Sequence, residues 1–121
     1  MRDRIAGFDI SDRDGVVVAT LEGEIDGSNA AELRLALSER LPSASSGLVL
    51  DLTDVTYLDS SGVHLLFELG RRLAARRQSL RLVVPEAAPM RRVLELCAVE
   101  AVAPMDRQLD AALTALAESS G

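Results

Sequence analysis

The sequence predicts an α/β domain built on a mostly parallel sheet with one antiparallel strand at its N-terminal edge. Three observations carry that expectation. Short apolar runs rich in Val and Leu alternate with amphipathic stretches of helical period, and the connections between them are short. Asp14-Gly15 stands between the first two runs, a hairpin signature that adds one antiparallel strand at the N-terminal edge. With 121 residues there is room for one domain, 1–121, whose core is expected over about 8–117.

Phe8 to Asp12 alternates weakly as a strand and turns at Asp12-Arg13-Asp14-Gly15. Val16 to Leu21 suits a strand buried on both faces. A polar break from Glu22 to Gly27 follows, and Ser28 or Asn29 is placed to cap a helix carrying Ala30, Leu33, Leu37 and Leu41 on one stripe. Pro42 ends it. Leu48 to Leu52 is the next buried strand. After Tyr57-Leu58-Asp59-Ser60-Ser61-Gly62 a long helix presents Val63, Leu66, Phe67, Gly70, Leu73 and Ala74. Its far end collects Arg71, Arg72, Arg76 and Arg77, where cations suit the helix dipole. Leu80 to Val84 is a strand ended by Pro85. A short helix presents Met90, Val93, Leu94 and Cys97, which places Cys97 in the core. Val99 to Val102 reads as a short strand. A last helix is expected to open at Asp106, show Leu109, Leu113 and Leu116, and fray from Glu118. If the crossovers proceed in sequence order, with no reversal, the helices gather on one face of the sheet; the order of elements along the chain leaves a doubly wound arrangement open.

Composition removes several function classes. All 13 basic residues are Arg, the net charge is −6, and Trp is absent, which leaves neither a cationic face nor a stacking platform for nucleic acid. One Cys and one His exclude an internal disulfide and paired-ligand zinc motifs. Without Lys there is no Walker-A loop and no Schiff base. Met1 to Arg4 lacks the apolar core of a signal peptide and no stretch approaches a membrane span, so the expectation is a cytoplasmic protein without membrane insertion.

In a parallel sheet the loops leaving the C-terminal strand ends share one rim, where sites form. That mapping converges Asp26, Asp59 with Ser60, and Pro85-Glu86 on one surface. Asp59-Ser60-Ser61-Gly62 suits helix capping, since Asp and Ser accept bonds from free backbone amides. It equally suits an exposed hydroxyl at Ser60 that accepts a phosphoryl group, because a helix N-terminus stabilises an added anion by about 0.3–1 kcal/mol. Asp59, Ser60 or Ser61, and His64 also contain the residue types of a hydrolytic triad. The order argues against catalysis: a triad needs its carboxylate beyond the imidazole, whereas Asp59 precedes the serine, and Gly-x-Ser-x-Gly is absent.

These residues resemble a known family, the STAS domains of bacterial anti-sigma factor antagonists. The likeness runs from Val16 to about Leu116, and it implies a single STAS-like domain with its strands in sequential order and its helices mainly on one face of the sheet. It is carried by Leu21-Glu22-Gly23-Glu24-Ile25-Asp26, by Leu48-Val49-Leu50-Asp51-Leu52, by Tyr57-Leu58-Asp59-Ser60-Ser61-Gly62-Val63 and by Met90-Arg91-Arg92-Val93-Leu94-Glu95-Leu96. The resemblance implies a non-enzymatic binding module whose unmodified form binds an anti-sigma factor serine kinase of the histidine-kinase-like ATPase class and frees the sigma factor. Phosphorylation at Ser60 ends the interaction, and a PP2C-type serine phosphatase restores it. Asp26, Asp59, Ser60, Ser61, Gly62 and His64 would form the partner surface; nucleotide and metal belong to the partner enzymes, and this chain needs no cofactor. Relatives often carry a second glycine where this chain has His64, and Gly-Leu where it has Cys97-Ala98. The alternative within the same fold is an unphosphorylated scaffold or transporter-associated subunit, which co-purification with a membrane assembly would identify.

Overall fold

The structure, a computed structural model, describes residues 8–120, with side chains as far as Glu118. The Met1–Arg4 segment discussed above lies outside the described residues. Five strands form one sheet in the order β1-β2-β3-β4-β5: β1 (Phe8–Arg13), β2 (Val16–Ile25), β3 (Gly47–Leu58), β4 (Ser79–Val83) and β5 (Met105–Asp106). β1 pairs antiparallel with β2 and every other neighbour is parallel. Four helices connect or follow them: α1 (Ala30–Arg40), α2 (Ser60–Ala75), α3 (Arg91–Leu96) and α4 (Leu109–Ser120). None of the described helices is long and apolar enough to cross a membrane. The two-residue turn between β1 and β2 has positive φ at both Asp14 and Gly15, the backbone that tight hairpins require.

The sheet is covered on both faces, and the period-2 geometry of the strands sorts the side chains. Val17, Ala19, Leu21, Leu48, Leu50, Leu80 and Leu82 pack in one cluster with Leu33 and Leu37 of α1, Leu66, Leu69 and Leu73 of α2 and Leu94 of α3. Val16, Val18, Val49 and Val83 point the other way and meet Ala112 and Leu116 of α4. The sequential strand order and the gathering of α1 to α3 on one face agree with what the family resemblance implies. α4 crosses to the opposite face, because four buried valines there need an apolar cover.

Several local expectations are corrected. β2 continues through the supposed polar break to the fully buried Ile25, and β3 runs on past Leu52 to Leu58. Val99–Ala101 is a single 3-10 turn rather than a strand, entered through Ala98 in the left-handed region (φ 57°). The fifth strand is instead Met105–Asp106, paired with Leu82 and Val83. Asp106 therefore belongs to the sheet, where its carboxylate accepts two hydrogen bonds from the Arg81 guanidinium, and the last helix opens at Leu109 and continues to Ser120. Cys97 is exposed rather than in the core. α3 is too short to bury a full stripe: Leu94 fills the interior, while Val93, Leu96 and Cys97 face outward.

Candidate functional site

Ile25 and Leu58 are register partners at the ends of β2 and β3, so the residues that follow them, Asp26 and Asp59, leave the sheet side by side. The Asp59 amide donates to the Ile25 carbonyl at 3.3 Å, which ties the two exits together. β4 stops at Val83, opposite Asp51 and seven residues before Leu58. The β2–β3 pair thus projects about 20 Å past its neighbour at the rise of an extended strand. Its path is not regular. Register shifts fall between Thr20 and Glu22 and between Gly23 and Glu24, with Gly23 at φ 85°. The same irregularity underlies Leu52, Val55 and Leu58, which are buried at every third residue rather than every second.

Asp59 is the N-cap of α2. Its backbone is extended, its Oδ1 accepts from the Ser61 amide at 2.9 Å and the Gly62 amide at 3.2 Å, and its carbonyl accepts from Val63. This cap leaves Ser60 as the first helical residue with an exposed side chain, while Ser61 is half-buried and Gly62 buried. Gly62 is required by proximity: a Cβ there would lie 2.8 Å from Leu58 Cγ and Cδ1 and 3.0 Å from the Ile25 carbonyl. α2 can therefore start directly on the ends of β2 and β3.

Asp26 is fixed as tightly. Its Oδ1 accepts the Ser28 hydroxyl at 2.6 Å and the Ser28 amide at 2.9 Å. Those two bonds, the hydroxyl first, hold its carboxyl below the usual aspartate range. Asn29 occupies the N-cap position of α1 but does not cap with its side chain. The side chain turns back instead: its Oδ1 accepts from the Asp26 amide and its Nδ2 donates to the Glu24 carbonyl. The loop touches the α2 start at Gly27, where a Cβ would sit 3.4 Å from Ser61 Oγ.

His64, one turn into α2, has 71% of its side chain exposed. Its Nε2 lies 3.8 Å from Glu68 Oε1, the oxygen that Arg34 of α1 approaches at 3.6 Å. The imidazole contacts Glu68 rather than a serine, and the Asp59 carboxylate is committed to backbone amides, so no hydrolytic triad is assembled.

The structure brings Asp26, Asp59, Ser60, Ser61 and Gly62 together, with His64 one turn behind. It does not bring Glu86 to them. Glu86 follows the shorter β4 and pairs with Arg107. Sequence reasoning named Ser28 only as a possible cap of α1 and missed its bonds to Asp26, although Asp-x-Ser is the spacing at which a hydroxyl and an amide two residues on both reach a carboxylate. It also missed that Tyr57, 51% exposed and paired in register with the exposed Glu24, flanks the rim. The rim is uniformly acidic: no Arg occurs between Arg13 and Arg34 or between Arg40 and Arg71, while Glu22, Glu24, Asp26, Asp54 and Asp59 fall in those stretches.

Comparison with known proteins agrees with this geometry. The STAS domain profile matches residues 8–112. The chain is 31% identical over 106 residues to the anti-sigma-F factor antagonist RsfB of Mycobacterium tuberculosis, covering 87% of this chain and 84% of that one. The crystal structure of an anti-sigma factor antagonist from Mycobacterium paratuberculosis superposes with a TM-score of 0.81 at 29% identity, over 96% of this chain and 98% of the other. SpoIIAA in its unphosphorylated form shares the fold, with a TM-score of 0.69 at 24% identity over 91% of this chain and 97% of that one.

Proposed function

Because this chain belongs to the STAS-domain family of anti-sigma factor antagonists, which are regulatory binding proteins and not enzymes, we propose that it works in the cytoplasm as a partner switch controlled at Ser60. In the unmodified state the acidic rim binds an anti-sigma factor serine kinase of the histidine-kinase-like ATPase class, and the sigma factor is released. Phosphorylation of Ser60 ends the interaction, and a PP2C-type serine phosphatase reverses it. Asp26, Asp59, Ser61, Gly62 and His64 complete the docking surface.

The observation that supports this reading is the exposed Ser60 at the first residue of α2, on the rim where Asp26 and Asp59 leave the sheet side by side, the Oδ1 of each already engaged, by Ser28 and by the Ser61 and Gly62 amides. A phosphoryl group adds roughly 1.5–2 negative charges there. If that charge is buried uncompensated in an interface, it costs several kcal/mol. A loss of about 2.8 kcal/mol already weakens binding roughly a hundredfold. The gain from the α2 N-terminus is smaller and is intramolecular, about 0.3–1 kcal/mol, so the modification acts at the interface rather than by refolding the domain.

The test is incubation with the cognate kinase and ATP, followed by mapping of the product by mass spectrometry. A single phosphate on Ser60, absent in Ser60→Ala, is the expected result; full modification of Ser60→Ala would remove the assignment. In calorimetry Ser60→Asp is expected to bind the kinase at least tenfold more weakly, with an unchanged circular dichroism spectrum.

A further inference from the structure

We propose that His64 is an internal counter-ion for phosphorylated Ser60, so that the modified state carries its own cation on the same helix face. The inference rests on the reading of Ser60 as the modified residue and adds to it how that state is held. Ser60 and His64 are four residues apart in the unbroken α2, which brings their Cβ atoms to about 5–6 Å. Both side chains are exposed, so neither is committed to packing. Side chains on a helix lean toward its N-terminus, so a rotamer change that takes the His64 imidazole off Glu68 brings it over the turn that holds Ser60.

In the unmodified protein the imidazole has one charged neighbour on its own helix, Glu68, at 3.8 Å. That contact is poorly oriented, because a helix favours the anion N-terminal to the cation at this spacing. A phosphate on Ser60 supplies the favoured order with nearly twice the charge. Glu68 keeps a cation when His64 turns away, since Arg34 of α1 approaches the same oxygen at 3.6 Å. Asp59 and Asp26 add negative charge on the phosphate side. Pairing with the phosphate then competes with the phosphatase for access to the same oxygens.

The experiment uses the full chain with phosphoserine installed at position 60 during synthesis, which bypasses any kinase. The phosphate is titrated by 31P NMR and the His64 ring by 1H NMR, in the parent chain, His64→Gln and His64→Arg. The parent phosphate is expected to lose its last proton about 0.15–0.4 pH unit below that of His64→Gln, the size of an i,i+4 pair for the one charge that this step adds. His64→Arg restores the low midpoint, and the His64 midpoint rises by a similar amount when Ser60 is phosphorylated. Coincident phosphate curves for the parent and His64→Gln, or a His64 midpoint indifferent to phosphorylation, would overturn the proposal. Neither result depends on whether a kinase modifies Ser60, so this proposal and the phosphoacceptor assignment fail separately.

Discussion

The Asp59 carboxylate holds the Ser61 and Gly62 amides, which otherwise have no acceptor inside α2, and so decides where the helix starts and which serine stands first in it with its side chain exposed. Asp59→Ala is expected to lower stability by about 1 kcal/mol in urea denaturation and to raise amide exchange at residues 61 and 62. Asp26 is governed by Ser28 in the same manner. Its carboxyl is held below the ordinary range by the Ser28 hydroxyl and amide. The sign follows from that lowering: the interaction stabilises the folded chain at pH above the ordinary aspartate value and is lost as pH falls through the lowered folded value. Ser28→Ala is expected to move the Asp26 carboxyl 13C titration upward and to flatten that part of the pH–stability curve. An unmoved titration would assign the lowering to the rest of the loop.

At the scale of elements, close contacts are placed where strands and helices must meet. Gly47 opens β3 against the start of β4, and a Cβ there would lie 2.2 Å from the Ser79 carbonyl oxygen. That oxygen is backbone and cannot step aside, so Gly47→Ala should separate the two strand ends and cost about 1–3 kcal/mol or more. Gly27 gives the contrast. Its added Cβ meets only Ser61 Oγ at 3.4 Å, and Gly27→Ala should leave the unfolding free energy in urea within about 0.5 kcal/mol of the parent. The extended β2–β3 pair is the other device at this scale. Because β4 ends opposite Asp51, the pair carries Asp26 and Asp59 beyond the sheet and presents α2 from its first residue.

Across the whole molecule, the sheet is a two-sided object with the larger cluster under α1 to α3 and a smaller one under α4. Leu116 is the largest fully buried contribution of α4 to the second face. Leu116→Ala is expected to cost about 2–4 kcal/mol and to raise binding of a hydrophobic dye as Val16, Val18, Val49 and Val83 lose their cover. The site, on the far rim, should keep its NMR shifts. Charge is also distributed at this scale: the rim has no Arg, while Arg71, Arg72, Arg76 and Arg77 cluster at and just beyond the other end of α2. A modest net charge of −6 is therefore concentrated at the end of the sheet that carries Asp26 and Asp59.

The sequence by itself determined the α/β class, the hairpin at Asp14-Gly15, the stripes of α1 and α2, and the juxtaposition of Asp26 with Asp59 and Ser60. Each is written in local periodicity, in turn chemistry, or in the rule that parallel strands send their loops to one rim. It did not determine that β2 and β3 run on to Ile25 and Leu58, because bulges at Gly23 and Thr20 break the alternation by which strands are recognised. Nor did it place α4 on the opposite face, put Cys97 in solvent, or keep Glu86 away from the rim. Those outcomes depend on relative strand lengths and on which buried surface lacks a cover, quantities set only when all elements pack together. The Arg34–Glu68–His64 cluster joins two helices whose alignment no local pattern encodes, so the tertiary structure alone decided it.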